Sequence, residues 1–322
     1  MSVLVYNGKG SDAESRKFLF ESLNAVIDKD HHTVDYITPQ AIKEGLWLKN
    51  CSVIIFGGGY DRGFESAVGR DGAQKIREFV INGGHYLGLC AGAYWACDHI
   101  EFDKGGPLEV TGERFLKFFP GICVGPAFPG FQYNSKQGVQ AVPVRYGKSE
   151  TFHAYMHGGG YFMPYLDAKK SMEQVPQPKL SKLQHNKRIL VETHQSTAIS
   201  APLALDSSKI PRGSSLLSPH LTLQPRETSD LSIYAEQSHK DLGIYCSLES
   251  KAMAIVQCSV GRGTAILSGV HLEFPFHLLD KENPHMKSCI PHFSHSEDRR
   301  QFVFKDILKQ LGVQVRTCKA AL

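Results

Sequence analysis

No stretch of the sequence approaches the roughly 20 consecutive apolar residues that cross a bilayer as a helix. The longest runs, such as Val53-Ile54-Ile55-Phe56, have the length of a strand, and no membrane partner is expected. Charge of one sign is equally scarce. The 36 Lys and Arg stand against 32 Asp and Glu, a net +4, which supplies no basic face for a phosphate backbone, so no nucleic-acid partner is expected either. The 8 cysteines show no regular spacing; they build no disulfide framework, and the cytoplasm is the expected location. The opening Met1-Ser2-Val3-Leu4-Val5-Tyr6-Asn7-Gly8 has neither the basic stretch nor the apolar length of a secretory leader and reads as a first strand. What is present is material for a large core: 42% hydrophobic and 21% charged side chains over 322 residues exclude disorder, collagen and coiled coil.

Up to about residue 97 the chain alternates short apolar runs with amphipathic stretches, the rhythm of a parallel sheet covered on both faces. Strands are expected at Val3 to Tyr6, Val34 to Ile37, Cys51 to Phe56 and Tyr86 to Leu89. Helices are expected from Glu14 to Ile27, after the Thr38-Pro39 cap, and from about Asp71 to Asn82, where Gly83-Gly84 stops the last. Beyond Cys97 short strand-like pieces lie among glycines and prolines, Val139 to Tyr146 being the clearest. Residues 169–232, apart from Arg188 to Glu192, have little periodicity and read as an insertion. Strands return at Gly243 to Leu248, Ala252 to Val260 and Thr264 to Val270, the last two flanking the Gly261-Arg262-Gly263 turn, before a helix from about Glu297 to Leu311. The expectation is one α/β domain over 1–322, a mostly parallel sheet with helices on both faces plus a β-rich, looped insertion.

Chemistry concentrates at Gly88-Leu89-Cys90-Ala91-Gly92, where a strand runs into a helix through a Gly-x-Cys-x-Gly turn, a nucleophile elbow with sulfur in place of oxygen. Small residues two before and two after the nucleophile are needed because the bend is tight. The helix that follows aims free N–H groups and its dipole at Cys90, and the Ala91 N–H is one expected oxyanion donor. Gly58 and Gly59, in the glycine run after a neighbouring parallel strand, are the other candidates. Either glycine group alone reads equally well as a tight turn. Ser268-Gly269-Val270-His271-Leu272-Glu273 adds a histidine and a carboxylate at i and i+2, on one face of an extended chain, so Glu273 can orient His271 toward the thiol of Cys90. The plain alternative is a satisfied histidine beside a solvated carboxylate.

These segments resemble class I glutamine amidotransferases, and more closely the amidotransferase-like N-terminal domain of eukaryotic biotin–protein ligases. The residues that carry the resemblance are Val5-Tyr6-Asn7-Gly8, Gly88-Leu89-Cys90-Ala91-Gly92-Ala93-Tyr94, His157-Gly158-Gly159-Gly160-Tyr161-Phe162, Val260-Gly261-Arg262-Gly263 and Ser268 to Glu273. The resemblance implies a flavodoxin-like amidotransferase fold, Cys90, His271 and Glu273 in catalytic positions, and Tyr94, His157, Gly158 and Gly159 near substrate. It implies no metal and no cofactor. Two departures matter: Tyr94 stands where glutamine-hydrolysing relatives carry Gln four residues after the nucleophile, and their His-Pro-Glu is His271-Leu272-Glu273 here. The Gly-Arg-Gly-Arg signature of biotin ligase catalysis is absent, so no biotin attachment by this chain alone is expected. Ala91 also separates the site from related peptidases and glyoxalases, in which histidine follows the cysteine.

Tyr94, Tyr155 and Tyr161 read as packing residues. His285, Cys289, His292 and His295 form the one stretch whose composition suggests zinc, but the spacing matches no standard finger and Pro284 and Pro291 break it into loop. The charges from Asp12 to Lys17 and from Glu297 to Arg300 read as solvated helix beginnings. Two functional readings remain. One is a cysteine-dependent hydrolase acting through a thioester on the amide of a small molecule or peptide. The other is a catalytically silent binding module that accompanies a biotin ligase or another biotin-dependent system.

Overall fold

Strand β1 (Ser2–Tyr6) is apolar on both sides, and a computed structural model, which describes residues 1–148, 151–165, 238–248 and 252–316, shows why. Val3 and Val5 join one core with Leu19 and Leu23 of α1 (Ala13–Val26) and Val303 and Ile307 of α5 (Ile290–Gln310). Leu4 and Tyr6 join another with Val68 and Ile76 of α3 (Asp61–Ile81) and Trp95 of α4 (Ala91–Trp95). The same alternation runs through β3 (Cys51–Phe56), where Val53 and Ile55 face one core and Ile54 and Phe56 the other. Alternating side chains buried on both faces are what a strand between two helical layers requires.

The remaining elements are β2 (Thr33–Ile37), α2 (Pro39–Glu44), β4 (His85–Leu89), β5 (Cys97–Phe102), β6 (Val110–Glu113), β7 (Phe119–Gly125), β8 (Gln140–Tyr146), β9 (Thr151–Met156), β10 (Tyr161–Pro164), β11 (His239–Tyr245), β12 (Met253–Val260) and β13 (Gly263–Ser268). They form one sheet in the order β2-β1-β3-β4-β13-β12-β10-β7-β5-β6, and β11 links β12 to a β8–β9 hairpin. β1 to β4 and β13 pair in parallel. Beyond β13 the pairings are antiparallel except for β5 with β7. The sheet is therefore mixed rather than mostly parallel, because the second half of the chain returns through hairpins instead of crossover helices.

Thr38 caps α2 as its sequence predicts, accepting from the Ala41 N–H with Pro39 in the first turn. Two helices begin earlier than periodicity indicates. α3 starts at Asp61 and passes through a break at Gly69, whose φ of 68° interrupts the apolar stripe. α5 starts at Ile290 because Pro291 occupies its first turn, where a missing N–H costs nothing. His292 and His295 thus lie on a helix, not in a loop. Arg300 is also not solvated: it is buried and donates to the Leu272 carbonyl and to Glu297. The expected insertion 169–232, with Arg188 to Glu192, falls outside the described residues. Among the described residues no helix is long and apolar enough to cross a membrane.

Candidate active site

β4 ends at Leu89 and α4 begins at Ala91, so the whole change of direction falls on Cys90, which adopts φ 50° and ψ −106°. A left-handed backbone at a residue with a side chain stores strain and is held only by its surroundings. The two flanking glycines permit it. A Cβ at Gly92 would lie 2.0 Å from the Phe56 carbonyl oxygen of β3, and one at Gly88 would lie 2.6 Å from the Gly92 carbonyl oxygen. The Cys90 N–H donates to the Ser268 carbonyl of β13 at 2.8 Å, tying the bend to the next strand.

The sulfur opens into a cleft of about 680 Å³ whose wall includes Gly58, Gly59, Ala91 and His271. His271 follows β13, and its N–H donates to the Tyr155 carbonyl at 2.9 Å. Its ring Nδ1 donates to Glu273 Oε1 at 2.8 Å, and the ring and Cys90 line the same cleft. Burial opposes charge on this imidazole, but Glu273 and Cys90 outweigh it and push the His271 pKa up to about 10. Glu273 is fully buried, with Oε2 unpartnered among the described residues.

The structure thus brings Cys90, His271 and Glu273 together, and it redistributes the oxyanion candidates. The Gly58 N–H is already committed to Ser15 Oγ at 2.8 Å, whereas the N–H groups of Gly59 and Ala91 have no acceptor among the described residues. Because that N–H can only donate, Ser15 Oγ accepts from it and turns its own proton toward Glu273 Oε1, 3.4 Å away. Ser22, on the same helix, donates to the Glu273 carbonyl at 2.8 Å. α4 is only five residues long, so its dipole is small and the individual N–H groups carry the electrostatics.

Of the residues placed near substrate by resemblance, Tyr94 and Gly158 are linked, the hydroxyl donating to the Gly158 carbonyl at 3.1 Å, and both line the cleft. Tyr94 is buried, so it supports the floor more than it meets solvent. The His157 carbonyl lies 3.8 Å from Cys90 Sγ, while the ring donates from Nε2 to the Gln137 carbonyl at 2.9 Å. Burial pulls its pKa down to about 4, leaving the ring neutral. Gly159 does not belong to the cleft wall. It presses against the Gly269 backbone, where a Cβ would lie 1.7 Å from the carbonyl oxygen. Tyr155 lines the cleft, but Tyr161 does not.

Sequence reading missed Ser15 and Asp61. Two buried serines seven apart on the apolar stripe of α1 were a usable sign. Asp61, whose buried partner Arg114 is 53 positions away, left none. Among the described residues no group of three or more His, Cys, Asp or Glu side chains could hold a metal ion. Cys289 is buried with its sulfur 3.7 Å from the Val139 carbonyl, and His292 packs on the His153 ring.

The family model for the N-terminal region of biotin–protein ligases matches residues 1–240 and 223–321. The biotin–protein ligase of Schizosaccharomyces pombe is 33% identical over 168 residues, which cover 51% of this chain and 26% of the ligase. An uncharacterized protein of Chlamydia muridarum is 31% identical over 230 residues, covering 69% of this chain and 81% of that one. The chain spans about a quarter of the yeast ligase it matches. A β-galactosidase of Bacillus circulans overlaps 97% of this chain and 31% of its own at 10% identity with a TM-score of 0.42, too loosely to carry an argument.

Two outcomes follow from the elbow and its support. Gly92→Ala should destabilise the protein by about 3 kcal/mol or more in urea unfolding, since the Phe56 backbone cannot yield; an unchanged midpoint would contradict this packing. Ser15→Ala, which leaves a buried N–H and a buried carboxylate one partner short, should cost about 1–3 kcal/mol by the same measurement, and a loss near zero would show that neither bond matters. The chain belongs to the family of biotin–protein ligase N-terminal regions.

Proposed function

We propose that this chain carries a cysteine-dependent amidotransferase-like site that cleaves an amide through a thioester, in an arrangement of the class I glutamine amidotransferase kind. The single observation that carries the reading is the left-handed Cys90 beside an imidazole that a buried carboxylate holds at 2.8 Å. An imidazole kept charged by Glu273 has a proton to give to a leaving nitrogen, and a thiolate is the attacking species in such chemistry.

In the proposed sequence the Cys90 sulfur attacks the amide carbonyl carbon, and the carbonyl oxygen takes up the negative charge. The Gly59 and Ala91 N–H groups hold that oxygen. His271 gives its proton to the departing nitrogen as the C–N bond breaks, leaving a thioester. It then takes a proton from water, whose oxygen attacks the thioester carbon, and keeps that proton as the C–S bond breaks and the sulfur leaves as thiolate, which restores the starting ion pair. Glu273 keeps the ring in the required tautomer throughout, and Ser15 keeps Glu273 in place. No cofactor enters these steps.

The second reading, a silent module that accompanies biotin attachment, is favoured by one feature. Tyr94 fills the position after the elbow with a buried ring bonded to Gly158, which leaves no side-chain amide there to hold a free amino acid. Free glutamine is therefore a poor substrate candidate under either reading.

Alkylation separates the two. At pH 6.5 a free thiol of pKa about 8.5 is about one per cent ionised. Iodoacetamide should label Cys90 at least about tenfold faster in the wild type than in His271→Ala, read by mass mapping so that the exposed Cys246 does not confuse the result. Equal, slow labelling in both would defeat the enzyme reading and leave the binding module.

A further inference from the structure

The cleft wall holds groups that the proposed chemistry does not use. Phe102, Phe131 and Tyr133 form one aromatic cluster. Phe102 and Phe131 meet edge to face with centroids 5.7 Å apart, Phe131 and Tyr133 likewise at 4.8 Å, and Tyr133 lies 6.5 Å from Phe102. Phe102 is buried and also meets Tyr94, and Phe131 also meets the His157 ring, whereas Tyr133 is 44% exposed at the rim. Rings left partly open beside water offer their negative faces to a cation.

Asp61 lies on the same wall and is 8% exposed. Its Oδ2 is held from behind by the Arg114 Nε–H, and Arg114 is fixed in turn by the carbonyls of Gly112 and Glu113 and is not part of the cleft wall. Its Oδ1 has no partner among the described residues, and the side chain is 12% exposed. Tyr94, Tyr133, Asp61 and Cys90 all line the cleft, and Tyr94 meets Phe102 edge to face with centroids 5.7 Å apart.

Among the described residues the wall offers an anion no unpaired cationic side chain. Its acidic side chains are Asp12, Glu14 and Asp61, and its one basic side chain among the described residues, Lys136, is bound to Glu14. His157 is neutral, and the charge on His271 is matched by Glu273. A carboxylate entering the cleft would therefore lose its hydration without gaining a cation.

From Asp61 and the exposed Tyr133 ring of this cluster, in the cleft that Cys90 also lines, we infer that the cleft takes an amide whose acyl portion carries an ammonium group and no free carboxylate. The inference rests on Cys90 being the acyl acceptor and adds the substrate class. Asp61 supplies the ion pair, the open face of Tyr133 supplies the cation–π surface, and Arg114 holds the carboxylate so that no reorganisation is needed on binding.

The test uses three reagents that deliver different charges to one sulfur: the trimethylammonium-ethyl, methyl and sulfonatoethyl methanethiosulfonates. In each case a disulfide forms at the thiolate and methanesulfinate leaves. Rates at Cys90 are measured in a Cys246→Ser, Cys318→Ser background and divided by those of a small thiol with the same reagent. The cation should be preferred to the anion by about tenfold at low salt, the preference shrinking as salt is added. Asp61→Asn should reduce it at least about threefold, and Tyr133→Leu, at the exposed rim, should reduce it too. A wild-type preference for the anion, or a ratio that neither variant moves, would overturn the inference and leave Asp61–Arg114 a structural ion pair. If Asp61→Asn does not fold, the wild-type ratio and Tyr133→Leu decide. The parent reading fails separately, when iodoacetamide labels the wild type and His271→Ala alike.

Discussion

The bend at Cys90 is the constraint on which the rest of the site depends. One residue carries the whole turn from β4 into α4, in a backbone conformation that a side chain disfavours. It is held because α4 starts almost in contact with the end of β3: the Gly92 N–H donates to the Gly57 carbonyl at 3.1 Å, and only a hydrogen fits on the Gly92 α-carbon against Phe56. The parallel order β3-β4-β13 then fixes what surrounds the sulfur. β3 delivers the glycine loop with its Gly59 N–H, and β13 delivers His271 and Glu273. Catalytic chemistry at the carboxyl ends of adjacent parallel strands is the arrangement that such sheets favour.

A second layer steadies this one. α1 contributes Ser15 to the Glu273 carboxylate and Ser22 to its carbonyl, and α5 contributes Arg300 to the carbonyl of Leu272. A histidine–carboxylate pair buried to this degree costs desolvation free energy, which only fixed partners offset. Ser15 also occupies the Gly58 N–H, so one serine both contacts the acid and leaves Gly59 as the loop glycine whose N–H has no acceptor among the described residues. Family membership and this geometry bear on different questions. The first relates the chain to part of a ligase; the second describes what surrounds the sulfur at position 90.

Much of this was legible before any coordinates. The strands of the parallel half stand out because continuous apolar runs end abruptly in glycine, and the elbow because Gly88 and Gly92 frame Cys90 at the spacing a tight bend requires. His271 and Glu273 were found by the period of an extended chain. Helix starts were less legible: Gly69 breaks the stripe of α3, and Pro291 reads as a breaker although it sits where a helix tolerates it. The antiparallel half was seen as strands but not as a pairing scheme, since register depends on partners far along the chain. The same distance hid Asp61 with Arg114, and Ser15 with Glu273, because a polar contact between residues remote in sequence leaves no local pattern.

The central claim is that the imidazole of His271 carries a proton at neutral pH because Glu273 and Cys90 stabilise it there. Ring-nitrogen NMR of the selectively labelled histidine reads this directly. With its pKa raised to about 10, both ring nitrogens should remain protonated from pH 6 through pH 8, the proton leaving only as the pH rises toward 10. Replacing Cys90 with serine should lower that midpoint, because one of the stabilising charges is gone. A ring that is neutral at pH 7 in the wild type, or one whose titration ignores the loss of Cys90, would contradict the account.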